Sequence, residues 1–153
     1  MKENDFTFAH RDEGFDNHID ASIRGYSMLH DDIVSMSRYF AEDDTNIVDI
    51  GCSTGKTLAA MYDQNKDVSF YANYIGIDYA SGFKKDMENR MIEYPSIDLK
   101  HKDVRDYEFE NCNMVTSIFT LQFMPRKDRQ NVLNNIYRGL NAGGAFVFAE
   151  KTY

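Results

Sequence analysis

Apolar positions along the chain change period more than once, and the changes divide it into elements. The first 24 residues are polar with scattered aromatics (Phe6, Phe8, Phe15), and Phe15, Ile19 and Ile23 recur every four residues, which predicts a short helix. From Met28 to Phe40 the positions Leu29, Ile33, Met36 and Phe40 mark one face of a second helix, closed by the polar run Glu42 to Asn46. Ile47 to Ile50 is a short apolar strand that ends at Gly51, and Lys56 to Asn65 reads as a helix with Leu58, Met61 and Tyr62 inward. Tyr74 to Asp78 predicts a second strand, followed by a helix carrying Phe83, Met87 and Met91. Ile97 to Lys100 and Met114 to Phe119 predict strands three and four. Pro125 opens a helix with Val132, Ile136 and Leu140, Asn141 to Gly144 reads as a turn, and Ala145 to Ala149 is a fifth strand.

Strands alternating with helices predict parallel strands joined by helical crossovers. The expected fold is α/β, a doubly wound Rossmann-like sheet of about five strands whose ligand lies at their carboxyl ends. With no repeat, low-complexity tract or Pro/Gly/Ser linker, residues 1–153 are expected to form one domain.

Composition narrows the class. Apolar residues at 42% and charged ones at 27% supply one real core. A formal charge of −8 disfavours a stand-alone nucleic-acid binder, whose affinity rests on Lys and Arg neutralising phosphates, and suits an enzyme acting on a small molecule. No uncharged apolar window is long enough for a membrane span, and the polar start, Met1 to Asp5, lacks a secretory apolar stretch. Two cysteines, Cys52 and Cys112, make no framework, so a reducing cytoplasm is the expected location.

Candidate chemistry begins at Asp49-Ile50-Gly51-Cys52-Ser53-Thr54-Gly55-Lys56-Thr57, between the first strand and its helix. Three motifs nearly overlap there. Gly55-Lys56-Thr57 ends a phosphate loop whose first glycine is displaced, because Ile50 stands where it belongs. Gly51-Cys52-Ser53-Thr54-Gly55 matches a nucleophile elbow literally, but the one later histidine, His101, lies in a charged segment. The third reading is an acid, a spacer and a glycine-rich turn, Asp49-x-Gly51-x-x-x-Gly55, which resembles the first motif of the class I S-adenosylmethionine (SAM) methyltransferases; a tight turn with no ligand is the bland alternative.

Two later acids support the third reading. Asp78 ends the second strand, where a carboxylate can accept hydrogen bonds from a ribose diol or cap the following helix. Asp103-Val104 combines an acceptor for an exocyclic amine with an apolar surface for an adenine face, although such an acid is also common in solvated loops.

Further segments resemble one family within that class, carboxy-S-adenosylmethionine synthase, formerly described as a tRNA uridine-34 methyltransferase. They are Ser22 to Ser27, Asp49 to Ser53, Gly76-Ile77-Asp78, Asp103 to Asp106, Phe119-Thr120-Leu121-Gln122-Phe123, Ile136 to Gly144 and Ala149-Glu150-Lys151. The resemblance covers about residues 15 to 152, and its strand-four and strand-five segments are more specific than the glycine loop. It implies strand order 3-2-1-4-5 and a reaction in which SAM takes a carboxylate derived from prephenate, giving carboxy-SAM and phenylpyruvate. The product serves a second enzyme of tRNA wobble-uridine modification, so no direct nucleic-acid contact is expected. It further implies that Tyr26 contacts the cofactor from an N-terminal helical segment (1–40) capping the site. Gly51, Cys52 and Ser53 would line its amino-acid portion, with Asp49 behind them. Asp78 and Tyr79 would meet its ribose and adenine edge, and Asp103 and Val104 its adenine. The same pocket would hold SAM, S-adenosylhomocysteine or carboxy-SAM.

This chain departs from the family's pattern at three places. Arg24 replaces a usual proline, Ile118 stands where the family carries a pocket asparagine, and the family continues beyond strand five with two more strands and a carboxylate-binding arginine. Strand five is therefore expected as a sheet edge that pairs with a second copy or a partner, a homodimer being the simplest case. An ordinary SAM-dependent methyltransferase of a small molecule or RNA, and a non-catalytic module acting by association, remain alternatives. No general base is named, because class I enzymes often act by positioning.

Other residues read as structure. His10, His18, His30 and His101 lack ligand spacing, so no metal is expected. Cys52 reads as a small loop residue whose helix N-terminal place could lower its pKa. Met28, Met36, Met61, Met87 and Met91 read as core packing, and Lys84-Lys85 as too short a patch for nucleic acid.

Overall fold

The computed structural model describes residues 14–69 and 71–151; Phe6, Phe8 and His10 lie outside them. Two helices, α1 (Phe15–Ser22) and α2 (Tyr26–Ser37), precede β1 (Asn46–Ile50). The chain then runs through α3 (Lys56–Asn65), β2 (Asn73–Asp78), α4 (Lys84–Glu93), β3 (Ile97–His101), β4 (Cys112–Ile118), α5 (Arg126–Gly139) and β5 (Leu140–Ala149). All four strand pairings are parallel, and the order is β3-β2-β1-β4-β5. This is the doubly wound order the sequence predicts.

Alternation along β1 builds two cores. Ile47 joins Leu58 and Met61 of α3, Met87 of α4 and Ile33 of α2 on one face. Val48 and Ile50 join Val132 and Ile136 of α5 on the other. Successive strand side chains point to opposite faces, so Asp49 shares the α2/α3 side with Ile47. The chain between β3 and β4 carries only a 3₁₀ turn, Val104–Asp106.

The structure corrects four local expectations. The buried face of α2 is Tyr26, His30, Ile33, Val34 and Ser37, so Met28 is 71% exposed and Met36 is also exposed. Met28 lies two residues, about 200°, from Tyr26 and therefore points outward. Asn141 to Gly144 is not a free turn: it is absorbed into β5 as a bulge, with Cys112 facing Leu140 and Met114 facing Ala145. Leu140 therefore belongs to the strand and not to α5. Pro125 precedes α5, its extended backbone presenting a carbonyl to the Asp128 amide at 2.9 Å.

Candidate functional site

Gly51 (φ 69°), Ser53 (φ 50°) and Gly55 (φ 77°) are all left-handed, which is how a five-residue loop turns sharply from β1 into α3. Ser53 is the costly one, since a side chain is disfavoured there, and such residues concentrate at functional sites. The loop amides are engaged. Gly51 and Cys52 donate to the Ile77 carbonyl at 2.7 and 3.2 Å, and Ser53 donates to Oδ2 of Asp78 at 2.9 Å. Amides held this way cannot wrap a triphosphate. Ser53 Oγ turns back to the Gly51 carbonyl at 3.4 Å, with no histidine bonded to it among the described residues. The elbow and phosphate-loop readings both lose their chemistry here.

A single cleft at the carboxyl ends of β1 and β4 is lined by Tyr26, Asp49, Gly51, Cys52, Ser53 and Ile118, together with Phe15, Asp16, Thr54, Lys56 and Thr57. Six of the ten expected site residues thus converge on one place. Asp78 adjoins it through Ser53, its other oxygen accepting from the Ala80 amide at 2.8 Å. Both the ribose and capping readings of Asp78 stay open, because each carboxylate oxygen retains a free lone pair. Tyr79 projects outward, 66% exposed. Asp103 is bound by the Arg105 guanidinium and amide, and Val104 is buried with Ile50 and Ile77 in the α5-side core. Neither borders the cleft as it stands.

Asp49 is the electrostatic centre. It accepts from Thr116 Oγ1 at 2.6 Å, and burial pushes its pKa up to about 7 despite that bond. Burial likewise raises Asp78 against the two amides that favour its charged form. Tyr26 is pushed up to about 12 by burial and by the charge of Asp49. Cys52 is raised well above the usual thiol range by burial, then by Asp49 and Asp78. The helix N-terminus does not activate it. His30 is lowered by burial and by Lys56, and stacks beside Tyr26 with ring centroids 6.2 Å apart.

Sequence reasoning missed the polar contacts that close this cleft. Asp16 and Asp20 of α1 meet Thr54 at 2.7 Å and Lys56 at 3.1 Å. The signal was partly present, since Lys56 and Thr57 stand out in the glycine loop, though for a different chemistry. Glu150 was also missed as a structural residue: its carboxylate accepts from the Leu121 and Gln122 amides at 2.8 and 3.0 Å. Among the described residues there is no group of three or more potential metal ligands, and no helix long and apolar enough to cross a membrane.

This frame, a parallel 3-2-1-4-5 sheet with an acid and a glycine loop leading from its central strand, defines a class I SAM-dependent transferase fold. Residues 47–144 match the methyltransferase domain family, and the chain belongs to it. The chain is 37% identical over 137 residues to a carboxy-S-adenosyl-L-methionine synthase of Staphylococcus epidermidis, covering 90% of this chain and 58% of that one. It is 36% identical over 155 residues to the synthase of that name from Actinobacillus succinogenes, covering 98% and 63%. It therefore spans about three fifths of the length of these relatives. A putative SAM-dependent methyltransferase from Methanococcus maripaludis shares the fold with a TM-score of 0.71 at 18% identity, covering 98% of this chain and 67% of that one.

Proposed function

We infer that the cleft beside Asp49 binds SAM and that the chain serves a transferase of the carboxy-SAM synthase type. The observation that carries this reading is the convergence of Tyr26, Asp49, Gly51, Cys52, Ser53 and Ile118 on one cleft at the carboxyl end of β1. The donor set suits the cofactor. Asp49 offers negative charge near a sulfonium and an ammonium, Asp78 keeps lone pairs for a ribose diol, and Tyr26 supplies an aromatic wall. When bound, the cofactor supplies an electrophilic sulfonium methyl group. The chain's own part is to hold and orient it and to exclude water.

In the synthase reaction the carboxylate lost from prephenate replaces one hydrogen of the SAM methyl group, and phenylpyruvate leaves with a water formed from that proton and the prephenate hydroxyl. Incubating the protein with SAM and prephenate, against SAM and tRNA, separates this from ordinary methyl transfer. Formation of carboxy-SAM, seen by mass spectrometry, supports the synthase reading, and methylated tRNA overturns it. Ligand released from the purified protein tests the cofactor itself. Absence of SAM or its analogues, with no SAM heat by calorimetry, overturns the whole reading.

A second reading rests on β5. Its outer edge is unpaired in the described sheet, and Phe148 is 59% exposed while stacked on Phe146 at 5.3 Å. Such an edge favours association with a second copy of the chain.

A further inference from the structure

The cleft encloses about 30 Å³, the room of roughly one water molecule, whereas small-molecule sites need roughly 300–1,000 Å³. The amino-acid portion of a cofactor enters only if one wall moves. The sheet-side wall is fixed, because the amides of Gly51, Cys52 and Ser53 are bonded to β2. The opposite wall is α1, eight residues with none fully buried and no side-chain cap at its start. A helix that short is not stable without its contacts.

Among the described residues those contacts include three polar pairings and the packing of Phe15 against the core. Asp16 accepts from Thr54 Oγ1 at 2.7 Å and pairs with Arg90 at 3.5 Å, Asp20 pairs with Lys56 at 3.1 Å, and Phe15 meets Phe83 edge-on at 4.7 Å. Lys56 is the first residue of α3 and lines the cleft, its ammonium 6.0 Å above the ring of Tyr26, which lines it too. The positive end of the α3 dipole adds to the attraction for an anion at this point. What sits there now is a carboxylate. Both partners are about one third exposed, so the pair is weak enough to exchange.

We propose that Asp20 stands in for the α-carboxylate of the cofactor on Lys56. Binding exchanges one carboxylate for the other, and the exchange removes one of the contacts that hold α1 at the mouth of the cleft, leaving those of Phe15 and Asp16. The inference rests on the cofactor reading above and deepens it: α1 is a self-blocking lid, and Lys56 selects ligands that carry a carboxylate.

Calorimetry with SAM and with decarboxylated SAM, which keeps the adenosine, sulfonium and amine, tests it on the whole chain. Asp20→Asn removes the competing charge with little change of shape, and should tighten SAM about fivefold while moving decarboxylated SAM less than about twofold. Lys56→Met should weaken SAM by about the same factor and again leave decarboxylated SAM nearly unmoved. Equal shifts for the two ligands, or no shift with either variant, overturn the exchange while leaving the cofactor reading standing. Failure of both ligands to bind the unchanged protein overturns both.

Discussion

The amide of Ser53 donates to Oδ2 of Asp78 at 2.9 Å, tying the glycine loop to the end of the neighbouring strand. Asp78 therefore has a structural duty before any ligand arrives, since its second oxygen holds the Ala80 amide. Asp78→Ala strands two half-buried donors, and we expect a loss of about 1–3 kcal/mol, a fall of roughly 3–10 °C in melting temperature. Asp78→Asn keeps one acceptor oxygen and should lose about half of that. Thermal melts read the stability, and calorimetry on the milder Asn variant reads the expected loss of SAM affinity.

Asp49 makes stability and cofactor affinity depend on pH in opposite directions. Its carboxyl rises from 3.8 to about 7 on folding, because burial outweighs the hydrogen bond from Thr116. Between those values the folded state holds the extra proton, so the contribution of Asp49 to stability is full below about pH 4 and declines as pH rises towards 7. Its sign is opposite to that of the contributions of Asp43, Asp63 and Asp103, whose pKa values are lowered. A cationic ligand favours the ionised form. SAM affinity should therefore climb with pH until about 7 and then level off, with a proton released on binding at pH 6. Titrations in buffers of different ionisation heat measure that proton. Asp49→Asn should flatten both profiles.

The segments Phe119 to Phe123 and Ala149 to Lys151 stand out by resemblance, and the structure supplies their physical reason. The Glu150 carboxylate, at the end of β5, holds the amides of Leu121 and Gln122, and Gln122 Oε1 accepts from the Lys151 amide at 3.2 Å. The pair of motifs fixes the loop after β4, next to Ile118 in the cleft. Glu150→Ala should cost about 1–3 kcal/mol and speed hydrogen exchange at Leu121 and Gln122 first. Unchanged exchange there would show that the turn holds itself.

Strands and core helices were legible because burial leaves a period. Ile47, Leu58, Met61, Met87, Val132 and Ile136 are all buried where the pattern puts them. The face of α2 was misread because Met28 and Met36 are apolar but exposed, and composition does not say which apolar residue meets the core. The glycine loop could be placed by its glycines, whereas Asp16 and Asp20 could not be joined to Thr54 and Lys56. Polar contacts between residues far apart in the chain have no period to reveal them. Asp103 is a further case: an acid after β3 whose carboxylate accepts from the guanidinium two residues on, a pairing that the sequence pattern did not announce.

Gly51 has a second requirement besides its positive φ. A Cβ there would overlap the hydroxyl and methyl of Thr120, whose Oγ1 donates to the Ile50 carbonyl at 3.1 Å. Gly51→Ala should cost about 3 kcal/mol or more, since steric overlap adds to the backbone strain of about 1–2 kcal/mol. Adding Thr120→Ala removes the overlapping hydroxyl and methyl but leaves the Thr120 Cβ, 2.8 Å away, so it should restore only part of the steric share. Full rescue would mean that strain at Gly51 is negligible, and no rescue would mean that Thr120 is not the obstacle.

An edge strand with an exposed aromatic is testable without knowing any substrate. Phe148 and Phe146 stack on the outer part of β5, and Phe148 presents more than half its surface to solvent. If two copies pair along this edge, the two Phe148 rings are buried against the opposite copy and a charge there is excluded. Phe148→Lys should then shift the protein from dimer to monomer by light scattering at high concentration, with little change in melting temperature for the isolated chain. SAM affinity should be unchanged, because Phe148 lies outside the cleft. A protein that is monomeric before the substitution ends the association reading, and a dimer that survives it places the interface elsewhere than β5.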